Sequence, residues 1–207
     1  MGIIKGSVTL SRYQVKGEPP QDFKDFIDER IRKFAFRDIE DNSEEESVGW
    51  VSPHDYMDTS FAYASYALDP YVALGLRIDK RQIPGALLKK YHRIELKKAY
   101  AMNDGRKPSR MEREELKEKA RLDLLTRIPP STKFYDLVWD TQGKQVWLGA
   151  AARSVRDLAE DLFKRTFELD LVALIPWDLA REAAGPGEAR QALEEASAWT
   201  LMQEGGA

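Results

Sequence analysis

Between Arg77 and Arg127 the chain sets an extended charged segment, Arg77 to Pro84, ahead of two helix patterns dense in lysine and arginine, with strand patterns on either side. Two helices interposed between strands cannot lie in a sheet, so they are expected to fold back on each other and leave it together. From Arg77 to Arg121 there are 15 Lys+Arg against 7 Asp+Glu, a balance of +8, whereas the whole chain has 32 against 35, or -3, and the remainder 17 against 28, or -11. A chain that sorts its charge this way can be acidic overall and still turn one cationic surface towards a polyanion. Charge alone leaves a second reading open, in which the helices are basic simply to stay solvated.

The flanking segments predict an α+β fold of mostly antiparallel sheets covered by helices, in two related α/β layers, from which a basic helical hairpin projects. Gly6 to Val15 alternates apolar and polar residues as a half-buried strand, and Asp22 to Phe36 carries Phe23, Phe26, Ile27, Ile31 and Phe34 at helical spacing. Glu40 to Glu46 is too acidic to bury and reads as a loop. Gly49 to Pro53 reads as a short strand, and Phe61–Leu68 with Tyr71–Ile78 as a hairpin turning at Asp69-Pro70. The first insert helix is expected from about Gly85 to Met102, with Leu87, Tyr91 and Ile94 as a buried seam and Lys89, Lys90, Arg93 and Lys97 beside it. Asn103-Asp104-Gly105 reads as its stop, and Ser109 with Glu112 as a capping box that starts a second helix through Leu125. That places Arg106, Lys107 and Arg110 at the hairpin tip. Thr132–Asp140 and Gln145–Ala150 read as a second strand hairpin, Ser154 as the cap of a further helix, and Leu169–Ile175 as a returning strand. The expected organisation is a core of residues 1–83 and 130–180, an insert of residues 84–129, and a C-terminal helix and frayed tail over residues 181–207.

Composition narrows the chemistry. With no cysteine and two histidines there are no disulfides, thiolate metal sites or cysteine nucleophiles, and little means for acid–base catalysis. The start lacks a signal-peptide core and no apolar run nears a membrane span, so a cytoplasmic location is expected. No phosphate loop, metalloprotease motif or nucleophile elbow is present. His54-Asp55 are strand neighbours that point to opposite faces, which makes a poor dyad. Asp136 and Asp140 share a strand face but sit about 13 Å apart, too far to hold one metal ion together, and are read as solvent-facing. Tyr56, Phe61, Tyr63, Tyr66 and Tyr71 could stack on bases, although their spacing favours core packing. No catalytic residue, metal or cofactor is expected.

Several segments resemble the RdgC recombination-associated proteins. They are Gly49-Trp50-Val51-Ser52-Pro53, the segment from Arg77 to Pro84, Gly105 to Glu118, Leu124-Leu125, Trp139-Asp140-Thr141-Gln142-Gly143, and Ser154 to Leu162, in the family's order and approximate spacing. The resemblance spans about Gly49 to Leu179 and reads as a member shortened at its C-terminus. It implies a non-catalytic, cytoplasmic or nucleoid-associated protein that binds DNA without sequence preference as a dimeric ring and restrains RecA-driven strand exchange. The family also carries an exonuclease label. On this reading Lys89, Lys90, Arg93, Lys97, Arg106, Lys107, Arg110 and Arg113 neutralise phosphates. Two rivals stand beside it, a self-associating interaction module without DNA affinity and a metal-dependent exonuclease.

Overall fold

A computed structural model describes residues 9–195 apart from Pro19, Gln21, Asp104 and Gly105. The expected strand over Gly6–Val8, the helix stop at Asp104-Gly105 and the tail beyond Glu195 lie outside the described residues.

Strands β1 (Ser11–Lys16), β2 (Glu46–Val51), β3 (Ala67–Leu68), β4 (Tyr71–Lys80), β5 (Ser131–Asp140), β6 (Gln145–Leu148) and β7 (Asp170–Ala173) form one antiparallel sheet ordered β2-β4-β5-β6-β1-β7, with β3 beside the start of β4. The two strand–helix–strand units, expected as two related α/β layers, share a single sheet. Both of their helices, α1 (Phe23–Lys33) and α4 (Arg153–Phe167), cover the same face. Alternation along the strands points Val72, Leu74, Leu76 and Ile78 of β4 and Leu137 and Trp139 of β5 into that face. There they meet Ile27 and Ile31 of α1 and Leu162, Phe163 and Phe167 of α4. Trp139 packs edge-on to Phe163, with centroids 5.2 Å apart. Trp50, fully buried, donates its indole N–H to Thr166 Oγ1 at 2.8 Å, and Thr166 donates in turn to the Leu162 carbonyl.

Gly49 is fixed by close approach. The backbone of Ala35 and Phe36 crosses β2 there, and a Cβ on residue 49 would stand 2.4 Å from Phe36 Cα.

Four expectations are corrected. Phe61–Tyr66 is not a strand: Phe61, Tyr63 and Ala64 have positive φ around a short 3-10 turn, which turns Phe61 and Tyr66 into the core and leaves only Ala67–Leu68 to pair with β4. Ala152, with no side-chain cap, precedes α4 where Ser154 was expected to cap it. Helix α5 (Pro176–Ala184) was not anticipated; it precedes the expected C-terminal helix, α6 (Glu188–Glu195). Asp136 is buried on the other sheet face, where the Tyr56 hydroxyl donates to it at 2.5 Å, rather than facing solvent.

Candidate nucleic-acid interface

Strands β4 and β5 pair from Tyr71↔Asp140 to Lys80↔Ser131, and their connection is the insert itself. Helix α2 (Gly85–Met102) and helix α3 (Arg110–Leu125) run antiparallel and leave the sheet as an arm. Helix α3 starts as its sequence dictates: Ser109 Oγ accepts from Glu112 N–H, and the Glu112 carboxylate accepts from Ser109 N–H at 2.6 Å. That backbone bond, with the Ser109 hydroxyl and Arg106 adding to it, holds Glu112 below the usual carboxylate range.

The arm is rooted through Arg81, which follows β4 and is 4 % exposed. Its guanidinium donates to five carbonyls. Nε reaches Ile128 (2.8 Å), Nη1 reaches Asn42 (2.7 Å) and Glu44 (2.8 Å), and Nη2 reaches Ile39 (2.8 Å) and Glu40 (2.9 Å). All five donors of the group are used, and the acidic loop is tied to the exit of α3. Nearby, Arg77 makes a bidentate pair with fully buried Asp79, at 3.0 and 2.8 Å, and lies 4.0 Å from the Phe36 ring centre. Sequence counting placed both arginines in the basic segment, yet the structure withdraws them from solvent. For Arg77 the available signal was its position on a largely apolar strand; Arg81 lies just past the end of that strand.

Helix α2 has no buried residue. One arc faces α3: His92 Nε2 lies 3.1 Å from the Arg113 carbonyl, and Glu95 pairs with Lys119 at 3.1 Å and with Lys98 at 2.6 Å. Those two lysines, Lys98 first, keep Glu95 below the usual carboxylate range. The seam expected from Leu87, Tyr91 and Ile94 is displaced. Leu87 and Tyr91 are half-buried, Ile94 is exposed, and half-buried Leu88, Leu96 and Ala99 share the arc that faces α3.

The opposite arc carries Lys89, Lys90, Arg93 and Lys97, all exposed and, among the described residues, without a carboxylate within ion-pair distance. At about 100° per residue the four fall within roughly 100° of the helix surface and span about 12 Å of its length. With Ala86 and Ile94 they line a shallow concavity of about 420 Å³. Helix α2 holds five cations against one carboxylate, Glu95, whereas α3 holds five of each. The α3 cations are largely spent on neighbours: Lys117 pairs with Glu114, Lys119 with Glu95, and Arg121 with Glu118 and Glu45.

The eight residues proposed from sequence therefore separate. Four form the α2 stripe. At the tip, Arg106 is engaged with Glu112 at 2.7 Å and Arg113 Nε with the Ser109 carbonyl at 3.3 Å, while Lys107 and Arg110 are exposed. The other candidates disperse. His54 is exposed and Asp55 accepts from Met57 N–H, Asp140 caps the β5–β6 turn through Gln142 and Gly143, and Tyr56 stacks on Phe134 at 4.8 Å. Among the described residues no three histidine or acidic side chains are placed to hold one metal ion, and no helix is long and apolar enough to cross a membrane.

These features define an α+β protein whose single sheet carries a two-helix arm with one cationic side. The family described as "Putative exonuclease, RdgC" matches residues 9–181, which takes in the sheet, both covering helices and the whole arm. The chain belongs to the RdgC family. Among curated proteins no match is found.

Proposed function

We propose that this protein binds DNA through the α2 side of the arm, gripping phosphates without reading base sequence, and so limits access of a RecA-type recombinase to the strand. The observation that carries this reading is the stripe of Lys89, Lys90, Arg93 and Lys97. These are four cations left uncompensated on a projecting helix in a chain of net charge -3. A solvated helix has no need to segregate its charge in this way, since α3 beside it carries as many acids as cations. Acidic surface elsewhere repels a polyanion and confines it to the stripe. Backbone contacts position a protein without specifying sequence, and each releases counterions.

The test is fluorescence anisotropy of unrelated labelled duplexes in chelator. Four engaged phosphates give a log–log salt slope near -3.6 and an affinity loss of about 150-fold between 50 and 200 mM salt. Absence of binding at 50 mM salt refutes the reading. In a strand-exchange assay the protein should slow a RecA-type recombinase at concentrations that saturate the DNA.

A second reading is favoured by one observation, that α2 buries nothing and exposes Ile94, Tyr100 and Met102, with Met111 on α3. The arm would then serve self-association. Sedimentation equilibrium distinguishes the two, because this reading requires mass to rise with concentration while DNA affinity is absent. The exonuclease in the family's description is tested by loss of nucleotides from a labelled end in Mg²⁺ but not in chelator.

A further inference from the structure

The cationic arc of α2 holds one aromatic side chain. Tyr100 lies three residues beyond Lys97 and seven beyond Arg93, so it continues the row of Lys89, Arg93 and Lys97 within the same arc. It is 48 % exposed and, among the described residues, makes no ring contact and no side-chain hydrogen bond. Helix formation does not explain it, because tyrosine is a poorer helix former than the lysines, leucines and alanines around it. Core packing does not explain it either: at about 100° per residue Tyr100 stands roughly 95° round the helix from the centre of the arc that meets α3. From Lys89 to Tyr100 the row covers about 16 Å of the helix.

Resting on the DNA-binding reading above, we propose that Tyr100 is a base-stacking platform at the end of the phosphate-binding row, so that α2 selects single-stranded over duplex DNA. A strand whose phosphates follow Lys89, Arg93 and Lys97 brings an unpaired base over the phenol ring. In a duplex both faces of each base are already stacked on neighbours, and the ring gains nothing. Aromatic stacking tolerates every base, which is compatible with binding that ignores sequence.

The experiment compares the full chain with Tyr100→Ala and Tyr100→Phe, using a labelled oligothymidylate of about 15 nucleotides and a mixed-sequence duplex of the same length. Circular dichroism confirms that each variant is folded. Tyr100→Ala should weaken single-strand binding about 10-fold and leave duplex binding within about twofold. Tyr100→Phe should retain the parent's preference. Bound single strand should quench the fluorescence of a 2-aminopurine in the parent and not in Tyr100→Ala. Equal losses on both DNAs, or none on either, overturn the stacking role while the phosphate-binding reading stands. Failure of the parent to bind either DNA overturns both.

Discussion

Replacing Arg81 with Met removes the donors that hold five backbone carbonyls at the root of the arm. The Ile39 carbonyl, in fully buried surroundings, loses its partner outright, at a cost of about 2 kcal/mol. The carbonyls of Glu40, Asn42, Glu44 and Ile128 are partly buried and regain some hydration, so each contributes about 0.5 kcal/mol. The sum, about 4 kcal/mol, lowers Tm by roughly 8–16 °C in a chain of this length. Arg81→Lys keeps the charge but offers three donors, and should lie between the parent and Arg81→Met. Thermal melts by circular dichroism give the magnitude, and hydrogen exchange gives the location. Protection should fall first over Ile39–Glu45 and Leu124–Ile128, with β4 and β5 little changed. If Arg81→Met melts within about 2 °C of the parent, the carbonyl cluster contributes no net stability and the arm is rooted by other contacts.

Gly49→Ala drives a methyl group into the Phe36 backbone, which cannot move without breaking the Ala35–Trp50 bridge; a loss of about 3 kcal/mol in denaturant titration is expected. Asp28 is held below the usual carboxylate range by Arg32 first and by the Tyr66 hydroxyl, so its contribution is present above about pH 4 and lost as pH falls through its folded value. Asp28→Asn should therefore cost less than about 1 kcal/mol at pH 7, the carboxylate being half in solvent, and nothing near pH 2 in acid melts. Burial, and then Asp136, push the Tyr56 hydroxyl up to about 12, so the parent loses stability as pH rises from about 10 to about 12. Tyr56→Phe should show a shallower fall across that window in urea titrations.

The elements that could be read from sequence are those set by local rules. The Ser109–Glu112 capping box, the span of α2 and the β5–β6 hairpin all follow from neighbours within a few residues, and all appear in the structure. Features decided at long range could not be read. Helix α2 carries apolar residues on two adjacent arcs, and only the position of α3 decides that Leu88, Leu96 and Ala99 are sheltered while Ile94 is left outside. Arg81 has no acidic partner in its own segment, and the carbonyls that receive it belong to a loop some forty residues earlier and to the end of α3. Phe61 and Tyr66 have the composition of a strand, but left-handed backbone at Phe61, Tyr63 and Ala64 turns the segment into a plug for the core. For the candidate site, net charge identified the insert, whereas ion pairing within the arm separated the free stripe on α2 from the balanced surface of α3.

That separation is the central claim, and a paired charge-removal experiment tests it. One variant carries Lys89→Gln, Lys90→Gln, Arg93→Gln and Lys97→Gln; the other removes the same charge from α3 through Lys117→Gln, Lys119→Gln, Arg113→Gln and Arg121→Gln. Salt-dependent anisotropy with one duplex should show the α2 variant losing about 3.6 from the log–log slope, with the α3 variant nearly unchanged. Equal flattening in both variants would mean that DNA responds only to the overall charge of the arm, and would contradict a binding stripe on α2.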